Sequence, residues 1–177
     1  MPEVSVKSAQ PERRPRKTMA FWLVGALLII VVDQVTKMFF NTQLAYTQRW
    51  PVLPFFDFTL LYNKGAAFSF LADEQGWQRW LFTAIAIGAC ALIVHMLRRH
   101  PEQTLFCTSL MCIMGGAVGN VIDRVIHGHV IDFLLFHWNQ WYFPAFNMAD
   151  IAITLGAALL IFDEILRIRR DRAAQRP

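Results

Sequence analysis

The sequence predicts a membrane α-helical fold: four transmembrane helices, a small extracytoplasmic β-sheet and an aromatic-rich interfacial segment. Three observations predict it. The apolar residues gather in four runs, each close to the roughly 20 residues that a membrane-spanning helix needs. Of the 177 residues, 55% are hydrophobic and only 17% charged, with a mean hydropathy of +0.35; a soluble domain carries about 25% charge. The basic residues are also distributed unevenly between the two sides of a four-pass chain. Lys7, Arg13, Arg14, Arg16 and Lys17 precede the first run, Arg98 and Arg99 separate the second from the third, and Arg167, Arg169, Arg170, Arg172 and Arg176 follow the fourth. Only Lys37, Arg49, Lys64, Arg79 and Arg124 fall on the other side, so the positive-inside rule places both termini in the cytoplasm. A disordered chain, a coiled coil and an ordinary cytosolic enzyme are excluded. Although the pI is near 9.3, the basic residues flank apolar runs rather than forming a folded basic face, so no nucleic-acid partner is expected.

Residues 1–18, with Pro2, Pro11 and Pro15, read as a disordered cytoplasmic tail. The first span, Met19 to Phe40, is too long for a cleaved signal peptide, and no small-x-small site follows it. Asp33, Gln34 and Lys37 interrupt its outer third. The second span covers Trp77 to Leu97; the third, Thr104 to Ile126, opens after Pro101 and carries Gly115, Gly116 and Gly119. The fourth runs from Asp150 to Ile168, its end marked by an i,i+4 pair of Asp163 and Arg167, and residues 169–177 form a basic cytoplasmic tail. Residues 19–168 thus make one domain. Cys90, Cys107 and Cys112 all lie in apolar runs, where an odd count gives no disulfide framework.

Two outer stretches are not helical. Val52 to Leu71 alternates, Phe56, Phe58, Leu60 and Tyr62 facing one way and Asp57, Thr59, Leu61 and Asn63 the other. This is a strand signal, with a turn at Asn63-Lys64-Gly65 before Ala66 to Leu71 resumes. His127 to Asn147 holds seven Phe, Trp and Tyr residues, a density suited to the lipid headgroup layer.

A charged group inside a span costs some 2.5–3.5 kcal/mol on insertion scales and marks a functional candidate. Asp33 lies about 21 Å along the first span, with Lys37 one turn further out on the same face. Asn120, Asp123 and Arg124 end the outward-running third span, Asp150 begins the inward-running fourth, and Asp132 lies between them. Singly, each has a structural explanation: an ion pair for Asp33 and Lys37, a pair of Asp123 with Arg124 or another basic neighbour, and an N3 acid behind an Asn147 N-cap for Asp150. Four carboxylates at one membrane level, with none in the inner halves of the first three spans, point instead to a shared site. Proton-coupled transporters place their acids near the midplane or along a path through it, which this pattern does not match.

No Gly-x-Ser-x-Gly or His-Glu-x-x-His motif is present. His127 and His129, near Asp132 and His137, make only a weak zinc signal, and no metal is assigned. Paired carboxylates remain. Two Asp groups held together cannot both ionise, so one keeps a proton and the other activates water, the chemistry of peptide hydrolysis without a covalent intermediate.

Five co-linear segments carry a resemblance. Asp33-Gln34-Val35-Thr36-Lys37, Asn63-Lys64-Gly65-Ala66-Ala67-Phe68, Gly115 to Arg124, Val130-Ile131-Asp132-Phe133 and Phe146-Asn147-Met148-Ala149-Asp150 resemble the bacterial lipoprotein signal peptidases, over about residues 22–168. The resemblance implies an aspartic endopeptidase of the bacterial inner membrane. It would remove signal peptides from diacylglyceryl-modified prolipoproteins, with its site toward the periplasm and in contact with membrane lipids. It implies Asp132 and Asp150 as the catalytic pair, with Asp33, Lys37, Asn63, Gly65, Asn120, Asp123, Arg124 and Asn147 supporting or lining the site. It also implies no cofactor and no metal, and inhibition by globomycin-type cyclic peptides. Asp123 with Asp150 remains the alternative pair. A helix N-terminus would favour the charged form of Asp150, and the apolar surroundings of Phe133 the neutral form of Asp132.

The topology is directly testable. A reporter active only outside the cytoplasm should be silent after Arg99 or at the C-terminus, and active between Gln43 and Arg49 or near Gln140. The reverse pattern would put the carboxylates in the cytoplasm.

Overall fold

The computed structural model describes residues 18–65 and 76–175. The basic arm up to Lys17, the strand continuation from Ala66 to Leu71 and Arg176 lie outside the described residues. The chain runs α1 (Met19–Gln43), β1 (Arg49–Leu53), β2 (Phe56–Asn63), α2 (Trp77–Arg99), α3 (Thr104–Ile126), β3 (Val130–Trp138), β4 (Trp141–Tyr142) and α4 (Met148–Ala174). Helices α1, α2 and α3 are each long and apolar enough to cross a membrane. Helix α4 carries Asp150 in its first turn and Asp163 and Glu164 near its far end, and it continues to Ala174.

Helix α3 is the centre of the bundle, packing on α1, α2 and α4. Glycine makes this possible. A Cβ on Gly116 would run into the Ala149 carbonyl oxygen of α4, and one on Gly119 would sit 2.5 Å from the Asp33 carboxylate of α1. Small residues at such positions let helix backbones approach closely where no hydrophobic effect drives them together. At one end the helices bury Trp22, Ile93, Leu97, Phe106 and Leu110; toward the other, Phe40, Leu44 and Leu60 meet Ile131, Phe133 and Leu134 beneath the sheet. The outer faces of α1 and α2 expose Leu27, Leu28, Val31, Ile85, Ile87 and Leu92, a continuous apolar surface that suits lipid rather than water.

The sheet has four antiparallel strands in the order β1-β2-β3-β4. Its third strand comes from the segment that the sequence marks only as aromatic and interfacial. Val130 to Leu135 are buried without interruption, so no period-2 pattern announces this strand. The expected alternation in β2 also breaks: the β2–β3 register shifts between Phe58 and Leu61, and Thr59 and Leu60 are both buried. A bulge of this kind puts consecutive side chains on one face. At the end of β3 and after it, Trp138, Trp141 and Phe143 are exposed.

The close α3–α4 approach predicts that Gly116→Ala is destabilising. Overpacking costs about 1–3 kcal/mol, and thermal unfolding in detergent should show a lowered Tm. An unchanged Tm would mean that the Ala149 backbone can move away without cost.

Candidate active site

Two helices meet around a buried ammonium. Lys37 Nζ of α1 lies 2.8 Å from Asp33 Oδ2, 3.0 Å from Asp123 Oδ2 of α3, and donates to Asn120 Oδ1 at 2.9 Å. Lys37, Asp33 and Asp123 are all 1% exposed or less. Charges this deeply buried persist only when paired and fully hydrogen-bonded. Here they are. Asp33 Oδ1 accepts the Ala149 N–H of α4 at 2.8 Å, and Asp123 Oδ2 accepts the Ile131 N–H of β3 at 3.0 Å. The side-chain nitrogen of Gln34 lies within 3.1 Å of Asp33, Asp123 and the Gly119 carbonyl. The cluster therefore ties together α1, α3, β3 and the start of α4.

Asn120 carries this order outward. Its oxygen faces Lys37, a group that can only donate, so its amide nitrogen is turned to Asp150 Oδ1, to which it donates at 2.9 Å. Asn147 holds the second position. It is the N-cap of α4, accepting the Asp150 N–H at 3.0 Å, while its own N–H donates to Asp150 Oδ2 at 3.2 Å. This is a capping box, with Asp in the place usually taken by Glu or Gln. The Asn147 amide nitrogen also donates to Asp132 Oδ1 at 2.7 Å. Asp132 Oδ2 accepts from Asn63 at 3.1 Å, and Asn63 is itself fixed by the Gly65 N–H at 2.9 Å. Gly65 has φ +103, a conformation in which glycine is free of Cβ strain, and a Cβ there would press on Phe82.

The two carboxyls differ in setting. Asp132 is 2% exposed, whereas Asp150 is half-buried. Burial, and then the charge of Asp150, push the Asp132 carboxyl up to about 7, against the opposing effects of Asn63, Asn147 and Lys37. Near neutral pH, Asp132 thus holds a proton for a substantial fraction of the time.

The structure gathers all ten residues singled out in the sequence into this network or its border. Asp123 pairs with Lys37 and not with its neighbour Arg124, because its side chain points across to α1. Arg124 donates to the Asn120 carbonyl at 3.2 Å, lies 5.5 Å from the Phe82 ring, and acts electrostatically on Asp150, Asp123 and Asp132. Asp132, expected in apolar surroundings beside Phe133, is buried within strand β3. Gln34 is the functional neighbour that sequence reasoning passed over. Its place in Asp33-Gln34-x-x-Lys37, one residue from a buried acid, was the available signal. The histidines have other neighbours: the His129 ring lies 4.2 Å from that of Tyr62, and His137 Nε2 lies 3.2 Å from Asp57 Oδ1. Among the described residues, no group of three His, Cys, Asp or Glu side chains is placed to share a metal ion.

Known proteins are similar to this chain over most of its length. The family model for signal peptidase (SPase) II matches residues 25–166. The chain belongs to the signal peptidase II family. The peptidase is 55% identical over 155 residues to the lipoprotein signal peptidase of Paraburkholderia phymatum, covering 88% of this chain and 93% of that one. With the lipoprotein signal peptidase of Cupriavidus necator it shares 52% identity over 174 residues, 96% of this chain and 99% of the other. A bacterial membrane enzyme solved by the in meso method at 2.3 Å matches with TM-score 0.76 at 26% identity, covering 93% of this chain and 97% of its own. The peptidase is accordingly a membrane enzyme of the aspartic type.

Breaking the buried cluster should cost stability as well as activity. Asp33→Ala strands Lys37 and the Ala149 N–H, at a cost of order 3–5 kcal/mol. The amount of folded enzyme recovered after purification should fall together with cleavage. Full recovery of folded but inactive protein would instead give Asp33 a direct part in the chemistry.

Proposed function

We propose that this peptidase removes signal peptides from prolipoproteins whose cysteine carries diacylglycerol, using Asp132 and Asp150 as the catalytic pair. The single observation that carries the proposal is Asn147. Through its side-chain amide and its main-chain N–H it holds one oxygen of each carboxyl, so one residue sets the spacing of the pair. The rival pair of Asp123 and Asp150 is disfavoured because Asp123 is ion-paired with the buried Lys37 ammonium at 3.0 Å, whereas the Asp132 oxygens accept from the neutral amides of Asn63 and Asn147.

In this reading Asp132 begins protonated and Asp150 ionised. Asp150 takes a proton from water as the water oxygen attacks the scissile carbonyl carbon, while Asp132 gives its proton to the carbonyl oxygen. Collapse of the resulting diol returns a proton to Asp132, breaks the C–N bond and passes the Asp150 proton to the departing amine. Both groups end as they began. Asn63, Asn120 and Asn147 hold the carboxyls in place, and Arg124 supplies positive charge near them. No cofactor enters the scheme.

The proposal extends to location. Helix α4 is the fourth span, both termini are cytoplasmic, and the site opens toward the periplasm at the outer edge of the bacterial inner membrane. The exposed aromatic residues after β3 reach the headgroup layer. Globomycin-type cyclic peptides compete with the lipidated precursor at this site.

Asp132→Asn and Asp150→Asn keep side-chain shape but cannot shuttle protons. Each should lower the rate on a diacylglyceryl-modified precursor by about 10²–10⁴, and the double variant should be hardly slower than either single one. Cleavage by Asp132→Asn together with inactive Asp123→Asn would move the pair to Asp123 and Asp150. The pH profile adds a sign. A carboxyl raised to about 7 loses its proton as pH rises, so activity should fall through an alkaline limb centred near that value. A profile flat from pH 6 to 9 would remove Asp132 from the role of acid. Chelators should leave the rate unchanged.

A further inference from the structure

An apolar cleft adjoins one of the two reacting carboxyls. It has a volume of about 590 Å³ and follows α4 from Asp150 past Thr154, Leu155 and Ala158, with Phe143 and Phe146 as its other wall. These α4 residues are spaced i, i+4, i+5 and i+8, so they share one helix face. Thr154 lies about 6 Å along the helix from Asp150, and Ala158 about 12 Å. The aromatic wall is held in place. Phe146 packs on the buried cluster beneath the sheet and stacks with Phe136, and Phe143 meets it edge-on with ring centroids 6.0 Å apart. Besides Asp150, the polar side chain lining this cleft is Thr154.

A threonine hydroxyl inside a helix ordinarily bonds back to a carbonyl of the preceding turn. Thr36, Thr42, Thr83 and Thr108 all do so. The Thr154 hydroxyl makes no hydrogen bond among the described residues. On the lipid side of a span no water pairs with it, and an unpaired hydroxyl in hydrocarbon costs free energy. An occupant of the cleft that brings an acceptor to this level removes that cost. The proposed substrate carries such an acceptor. Its cysteine sulfur bears a glycerol whose hydroxyls are esterified, so each acyl chain begins at an ester carbonyl, a few single bonds from the peptide bond to be cut.

We infer that Thr154 is a specificity-determining residue, its hydroxyl donating to a glyceryl ester carbonyl of the lipidated cysteine while that acyl chain lies along Leu155 and Ala158 against Phe143 and Phe146. The inference rests on the proposed substrate and on Asp150 as a reacting group. Held at the ester and along the chain, the modified cysteine is ordered against α4 with its preceding peptide bond at the level of Asp150. The test uses the purified full chain in detergent and synthetic precursors whose cysteine carries either diacylglycerol or the dialkyl ether of the same chain length, which lacks the carbonyls. Wild-type kcat/KM should be about tenfold higher on the ester. Thr154→Val keeps the β-branched shape and should bring the ester down to the ether level through KM, with kcat held; Thr154→Ser should restore the preference. Ala158→Leu narrows the far end of the cleft and should raise KM more for long chains than for short ones. Equal wild-type rates on ester and ether, a Thr154→Val loss that falls equally on both, or a loss carried by kcat would each overturn the assignment and leave the peptidase reading standing. An Ala158→Leu effect independent of chain length would overturn the path of the chain. A precursor without lipid, cut as fast as the ester, would overturn the assignment together with the proposed substrate.

Discussion

One ammonium group organises the reactive end of this protein. Lys37 Nζ is withdrawn from solvent among Asp33, Asp123 and Asn120, and those three partners leave it no freedom. Desolvating a lysine and two carboxylates is expensive, and only near-complete pairing makes it tolerable. The return is geometric order. Asp33 reaches the first turn of α4 through Ala149, Asp123 reaches β3 through Ile131, and Asn120 is left with one amide orientation. Helix packing, strand placement and the bond to Asp150 all hang on the same charge.

The chemistry depends on how that order reaches two carboxyls in different surroundings. Asp132 sits on a buried strand, where desolvation and the nearby charge of Asp150 oppose its ionisation. Asp150 sits at a helix N-terminus with an N–H donor on each oxygen. Like-charged groups brought together share their titration, and this difference in setting is what the proposed division into acid and base rests on. The three asparagines that hold the pair cannot themselves titrate near neutral pH, so they position without competing for the proton.

Much of the architecture was legible because its causes are local. A hydrocarbon core demands long apolar helices, so composition and run length give α1, α2 and α3 to within a few residues. The i,i+4 spacing of Asp33 and Lys37 announces their pair, and Asn147-x-x-Asp150 announces a capped helix start. The five motif segments carried the identity of the enzyme family, since each keeps reactive residue types at fixed spacing.

What the sequence by itself determined is therefore the long apolar helices α1, α2 and α3, the local pairing of Asp33 with Lys37 and the family of the enzyme. Tertiary structure alone decided partners and orientation. Strand β3 hides in a segment buried without interruption, Asp132 included, because both its faces are covered, and the bulge in β2 depends on pairing with it. Asp123 has Arg124 beside it in sequence yet pairs with a lysine 86 positions away, because α1 and α3 cross where Gly119 admits the Asp33 carboxylate. Gln34 acquires its acceptors only at that crossing. Spacing along a helix fixes which side chains share a face; which face meets which is settled by how closely the backbones can pack.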